Sequence, residues 1–81
     1  MNRDAITGDL REILSGLLRV PVLEGDDFRA LGVDSIVTMR MVAAVQNKFG
    51  VEIPLASAFM ARNVGELADT IEQAISRVSA G

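Results

Sequence analysis

One serine of this chain stands where a covalent group could be attached. Ser35 lies within LGVDSIVTMRM, residues 31–41, where a turn-like stretch runs into an apolar helical one. Asp34 before it is a good N-cap residue, so Ser35 falls in the first turn of a helix. Free N–H groups and the helix dipole favour an anion there, so a phosphate attached to Ser35 would be well placed. A first-turn serine without any function fits the same pattern, and both interpretations stay open at this point.

The chain lacks the side chains that usually activate a serine. It contains no cysteine and no histidine, which excludes a thiol nucleophile, a cysteine-ligated metal and the usual general base. Lys48 is its one lysine, which leaves little room for a serine–lysine pair. Asp26, Asp27 and Asp34 could gather around a cation, but their loop lacks the alternating oxygen ligands of a calcium loop. We therefore expect no catalytic residue and no metal site.

Composition limits the remaining classes of function. The 81 residues allow one domain, and 49% hydrophobic residues are enough for one small core. A net charge of −3 with only three aromatic residues argues against nucleic-acid binding. No apolar run approaches the roughly 20 residues that cross a bilayer, and MNRDAITGDL has no apolar signal core. We expect a cytoplasmic monomer without membrane contact. Met1 favours a free-standing protein, although an excised domain would look the same.

Apolar spacing predicts an all-α fold. Four helices are expected over about 4–19, 35–49, 56–61 and 64–78, giving a small four-helix bundle with three main helices and one short one. Asp34 and Gly50 bound the second helix, and Asn63 with Glu66 forms a capping box before the last. A long loop over 20–34 joins the first two helices, and loops of this length are often functional.

The second predicted helix has one inward and one outward face. Thr38, Val42, Val45 and Phe49 share a stripe that should face the core, with Met39 and Met41 beside it. The opposite face carries Ile36, Arg40, Ala43 and Asn47. An isolated exposed isoleucine means little. Next to a modified serine, Ile36 indicates a docking surface.

Several segments together resemble a known family. LGVDSI resembles the phosphopantetheine attachment motif of acyl and peptidyl carrier proteins. DDFRALGVDSI resembles the loop before that motif, MVAAVQNKFGVEIPL the second helix and its exit, and NVGELADTIEQ the start of the last helix. The short motif alone is weak, but these segments in register cover residues 26–73, and the first helix fits by position.

The resemblance implies a covalent cofactor. Ser35 would accept 4′-phosphopantetheine from coenzyme A, transferred by a separate phosphopantetheinyl transferase with magnesium. The thiol of the arm would hold acyl or aminoacyl groups as thioesters, so the working thiol comes from the cofactor. By the same resemblance, Asp34 helps the transferase to recognise the chain. The residues expected to bind partners are Ile36, Arg40, Met41, Ala43, Asn47 and Met60.

The expected partners besides the transferase are a loading enzyme of the adenylation or acyltransferase type and condensing or tailoring enzymes. The strongly acidic second helix that is usual in bacterial fatty-acid carriers is missing, because no acid lies between Ser35 and Glu52. Fatty-acid enzymes that dock through basic patches should therefore bind poorly. GVDS is closer to polyketide carriers and IPL to peptidyl ones, so we favour secondary-metabolite biosynthesis. The alternatives are an unmodified helical adaptor and a fatty-acid-type acyl carrier.

Overall fold

The computed structural model describes residues 2–80 and contains five helices over that range. In chain order they are α1 (Arg3–Leu18), α2 (Phe28–Leu31), α3 (Ser35–Phe49), α4 (Leu55–Met60) and α5 (Val64–Ala80). No strand occurs within residues 2–80. The predicted all-α fold is confirmed.

The three long helices enclose one core. α1 packs against both α3 and α5, and α4 bridges α3 and α5. Each long helix contributes the apolar stripe that its sequence predicts, and the long loop adds two further side chains. The fully or almost fully buried apolar residues include Ile6, Leu10, Leu14, Val22, Phe28, Met41, Val45, Val64, Leu67, Ala68 and Ile71.

The long first loop contains a helix that the sequence analysis did not predict. α2 has one turn: the Asp27 carboxylate caps it by accepting from the Arg29 N–H at 3.3 Å, and Gly32 ends it with φ 88°. Phe28 is buried and Leu31 packs against the core. An N-cap aspartate, apolar residues three apart and a glycine are the usual signals of a helical turn. Four residues are too few for periodicity to reveal it.

α3 has the predicted bounds, 35–49, whereas ends of α1, α4 and α5 differ from the predicted ones by one or two residues. α1 ends at Leu18 because Arg19 adopts φ 58°, the left-handed conformation that closes a helix. α4 occupies Leu55–Met60 where 56–61 was predicted, and α5 continues through Ala80, beyond the predicted end at 78.

Hydrogen bonds fasten the middle of the loop between α1 and α2 to two long helices. Near α1, the Arg11 Nε–H donates to the Val22 carbonyl at 2.8 Å, and the Val22 N–H donates to Ser15 Oγ at 3.1 Å. Near α5, the Gly65 N–H donates to the Glu24 carbonyl at 3.3 Å. This loop therefore leads to α3 along a fixed path.

Candidate functional site

Ser35 is the first residue of α3, and its side chain is exposed. The helix is capped by its neighbour: the Asp34 carboxylate accepts from the Val37 N–H at 2.9 Å. Asp34 is thus the N-cap that the sequence predicted. Because the cap is an aspartate, the Ser35 hydroxyl is not needed to start the helix.

The segment before Ser35 is held against the start of α5. The buried Phe28 donates its N–H to the Arg62 carbonyl at 2.8 Å, and the Val33 N–H donates to the Phe28 carbonyl at 2.9 Å. On α5, the Asn63 side chain accepts from the Glu66 N–H at 2.9 Å, as the capping box requires. The Glu66 carboxylate accepts from the Arg62 N–H rather than from that of Asn63. Backbone hydrogen bonds therefore tie the segment that leads to Ser35 to the start of α5.

A groove of about 740 Å³ opens beside Ser35. Its walls come from α2, the first turn of α3, α4 and the segment that enters α5. Apolar side chains form much of the lining, including Phe28, Val33, Phe59 and Met60. An arm attached to Ser35 would leave the helix directly beside a groove of mixed polarity.

Both signs of charge line this groove. Arg29 and Arg62 are exposed on its walls, and Asp27 and Asp34 lie among them. Each aspartate accepts from a backbone N–H at the start of its own helix, where the helix dipole offsets negative charge. Arg62 has only a loose contact with Glu66, with Nε 3.6 Å from Oε2. The guanidinium groups thus remain available to an anion near Ser35.

Five of the six residues expected to bind partners are exposed. Ile36, Arg40, Ala43 and Asn47 lie on the outer face of α3, and Met60 is at the end of α4. We call this surface the α3–α4 face, together with Met39 and Phe59, two exposed apolar residues that the sequence analysis did not assign to it.

Met41 does not belong to that face. It is fully buried beside Thr38, Val42 and Val45, because positions three and four apart share one side of a helix. Met39 is exposed instead, one turn after Ser35. Helical periodicity from Thr38 could have separated the two methionines.

Two further classes of site are absent from the described part of the chain. Among residues 2–80, no three carboxylates lie close enough together to hold a metal ion. Over the same residues, no helix has the length and apolar character to span a membrane.

Comparison with known proteins gives the family. The family model described as "Phosphopantetheine attachment site" matches residues 8–71. The acyl carrier protein of Helicobacter acinonychis (strain Sheeba) is 32% identical over 72 residues, covering 84% of this chain and 92% of that protein. Tyrocidine synthase 3 of Brevibacillus parabrevis is 37% identical over 65 residues, covering 79% of this chain. The chain spans only 1% of the length of that synthase.

Solved structures agree with the fold. BlmI, a type-II acyl carrier protein from Streptomyces verticillus involved in bleomycin biosynthesis, superposes with a TM-score of 0.84 at 24% identity, covering 90% of this chain and 89% of that one. That likeness is one of fold alone. The 3-oxo-butyl acyl carrier protein of the actinorhodin polyketide synthase in Streptomyces coelicolor gives a TM-score of 0.71 at 27% identity, with coverages of 88% and 91%.

The cofactor of this family also fits the described residues. Phosphopantetheine is carried through a hydroxyl group, and Ser35 offers an exposed one beside a groove with two guanidinium groups. From the family match, the coverage of a full acyl carrier protein and the shared fold, we conclude that this chain belongs to the phosphopantetheine-bearing acyl carrier protein family.

Proposed function

We propose that this chain is a non-catalytic carrier with 4′-phosphopantetheine on Ser35. It holds acyl or aminoacyl groups and delivers them to enzymes of polyketide or nonribosomal peptide biosynthesis. The bound group supplies the thiol that forms the thioester, which a chain without cysteine cannot provide itself.

One observation carries the choice of Ser35. The family match covers residues 8–71, all of which the structure describes. That range holds five hydroxyl side chains, and Ser35 is the only exposed one: Thr38 is buried, and Ser15, Ser57 and Thr70 are half-buried. Ser15 also accepts from the Val22 N–H, and Thr70 donates to the Glu66 carbonyl. A transferase that must reach a free hydroxyl has one good target here.

The attachment step requires little of the chain beyond presenting that hydroxyl. A bond forms between Ser35 Oγ and the phosphorus that bears the pantetheine, and the pyrophosphate bond of coenzyme A breaks. Adenosine 3′,5′-bisphosphate leaves, and the hydroxyl proton goes to the transferase or to water. The phosphate then lies at the N-terminal end of α3, where the helix dipole favours negative charge. Asp34 caps the helix and also offers the transferase a charged contact beside Ser35.

The kind of pathway is supported by both sequence and neighbours. Relatives include part of tyrocidine synthase 3 and, at 27% identity, a carrier of the actinorhodin polyketide synthase. α3 carries Arg40 and Lys48 and no acid. A second candidate, a fatty-acid-type acyl carrier, is favoured by the match over 92% of the Helicobacter acyl carrier protein.

The partners we propose act in sequence on one site. A phosphopantetheinyl transferase adds the arm, a loading enzyme of the adenylation or acyltransferase type charges it, and condensing or tailoring enzymes use the cargo. The α3–α4 face, next to Ser35, is the surface that these enzymes contact.

Intact-protein mass spectrometry tests the proposal. Two separate samples of the unmodified protein are incubated with magnesium and a broad-specificity transferase, one with coenzyme A and the other with acetyl-coenzyme A. We expect a gain of one phosphopantetheine in the first sample and of one acetyl-phosphopantetheine in the second, from which neutral hydroxylamine removes the acetyl group. Ser35→Ala should gain nothing, whereas Ser76→Ala, at an exposed serine of α5, should behave like the wild type.

A folded wild-type protein that gains no mass beside a working control carrier would contradict the proposal. The unmodified helical adaptor would then be the better account.

A further inference from the structure

Large apolar side chains are exposed around Ser35. Ile36 is 64% exposed, Met39 57%, Phe59 46% and Met60 77%. Phe59 and Met60 line the same groove as Ser35, Ile36 follows it in the chain, and Met39 lies one turn further along α3. Single exposed apolar residues are common, but a group of them on one surface indicates an interaction site.

Basic side chains surround this apolar group. Arg29 and Arg62 stand on the walls of the groove, and Arg40 lies one turn after Ile36 on α3. They come from three different parts of the chain. Three acids lie beside them. Asp27 and Asp34 are both N-caps, so backbone N–H groups already offset part of their charge, and Glu66 has a loose contact with Arg62 at 3.6 Å.

The positive charge here contrasts with the rest of the molecule. The whole chain has a net charge of −3. α3 carries two basic residues and no acid, and α4 carries no charged residue. α5 by contrast holds Glu66, Asp69 and Glu72 against the single basic residue Arg77. Arg29, Arg40 and Arg62 therefore form a local basic rim around the apolar group, in a chain that is acidic overall.

We propose that the α3–α4 face docks on partner enzymes whose contact surface combines an apolar depression with an acidic rim. The apolar group would enter the depression, and Arg29, Arg40 and Arg62 would pair with the rim. This inference rests on the proposed function, since the arm on Ser35 must reach the partner's active site. A second copy of the chain fits less well, because two α3–α4 faces would oppose like charges.

Charge complementarity between two proteins changes their association rate more than it changes their affinity. Complementary charges raise association rates by roughly 10- to 1,000-fold at low salt, and salt screens the effect. The sign of the partner's rim can therefore be read from a rate measured at two ionic strengths.

The test uses one probe enzyme in two forms. The transferase first installs on Ser35 a pantetheine analogue with a thiol-reactive chloroacrylate end. The probes are a fatty-acid ketosynthase with a basic docking patch and the same ketosynthase with that patch changed to glutamates. We expect the carrier to cross-link roughly tenfold faster to the acidic form at low salt. High salt should reduce the difference.

Carrier variants identify the residues responsible. R29E, R40E and R62E together should reverse the preference between the two ketosynthase forms. Arg77→Glu changes an exposed arginine on α5 and should leave the preference as it is. Circular dichroism melts of both variants confirm that each is folded before the rates are compared.

Three results would overturn the inference. The wild-type carrier could cross-link equally fast to both forms, or faster to the basic one. The Arg77→Glu change could shift the preference as much as the triple change. The wild type could self-associate through this face, so that the triple variant alone stays monomeric in sedimentation. Failure of the analogue to attach at all would instead contradict the proposed function, and mass spectrometry detects it before any ketosynthase is added.

Discussion

At the scale of the residue, Asp34 and Ser35 have different roles at the start of α3. Asp34 holds the helix end by accepting from the Val37 N–H, and Ser35 presents a free, exposed hydroxyl. The sequence allowed both readings of Ser35, as helix starter or as modified residue. The structure assigns the cap to Asp34, which removes the main structural reason for a serine at position 35.

Replacing Ser35 by alanine should therefore leave stability almost unchanged. We expect the free energy of unfolding to stay within about 0.5 kcal/mol of the wild type, as for most surface substitutions. Urea denaturation followed by circular dichroism measures it. A loss of more than about 1 kcal/mol, the typical value of a helix cap, would show that the hydroxyl has a structural role.

Two substitutions of Asp34 should separate its role as a helix cap from its proposed role in recognition by the transferase. Asparagine caps helices about as well as aspartate, whereas alanine loses about 1 kcal/mol. Asp34→Asn should keep the wild-type stability yet slow the transferase, because the carboxylate charge is gone. Asp34→Ala should lower both the stability and the transfer rate. Equal transfer rates for Asp34→Asn and the wild type would restrict Asp34 to capping.

At the scale of the element, apolar spacing in the sequence predicted the long helices but not the one-turn helix α2. The three long helices follow from apolar spacing, and the caps Asp34 and Gly50 follow from residue type. α2 was missed because one turn has no period. Val22 and Phe28 of the long loop are buried whereas Leu23 is 57% exposed, and nothing in a loop sequence says which apolar residue turns inward.

Arg19 is an element-level feature that sequence alone did not reveal. It closes α1 with φ 58°, the only non-glycine residue with positive φ among the described residues. The left-handed conformation costs a side-chain-bearing residue about 1–2 kcal/mol. Arg19→Gly should thus raise the free energy of unfolding by about 1 kcal/mol.

The same substitution inside a helix provides the control. Arg40→Gly, within α3, should lower the free energy of unfolding by about 1 kcal/mol, because glycine is a poor helix former. Urea titration compares the two variants with the wild type. Destabilisation by both changes would show that Arg19 has favourable contacts that outweigh its backbone strain.

At the scale of the whole molecule, Arg3 links the start of α1 to the N-terminal half of α5. Its guanidinium group donates to the Asp69 and Glu72 carboxylates and, at 2.7 Å, to the Gly65 carbonyl. The hydrogen bond to Asp69, followed in size by the one to Glu72, raises the pKa of Arg3 further above its usual value. A raised pKa keeps the charge until the pH passes the folded-state value, so Arg3 stays charged at every pH used for a folded protein. Contacts more than 60 residues apart in sequence could not be predicted from local pattern.

Removing this link should weaken the contact between α1 and α5. Arg3→Gln should lower the free energy of unfolding by about 1 kcal/mol, the upper range for a partly exposed ion pair with additional bonds. Arg40→Gln, which removes an exposed arginine that forms no ion pair within residues 2–80, should change it by less than about 0.5 kcal/mol. If urea titration gives both variants the same free energy of unfolding, the Arg3 contacts do not contribute to stability in solution.

The same scale explains why the candidate site was predictable. The motif around Ser35, the exposed residues of α3 and the cap are all local, and sequence carries local information well. Met41 was misassigned although the spacing of three and four residues from Thr38 to Val45 places it on the buried side of α3. The groove and the arginines from α2 and the α4–α5 connection exist only once the chain is folded.

The central claim is that Ser35 carries the arm, and peptide fragmentation tests it most directly. After incubation with coenzyme A, magnesium and a transferase, cleavage at Arg29 and Arg40 releases ALGVDSIVTMR, residues 30–40, with Ser35 and Thr38 as its hydroxyl side chains. We predict that fragment ions place one phosphopantetheine on Ser35 and none on Thr38. An arm on Thr38, on another peptide or on no peptide of a folded protein would contradict the account.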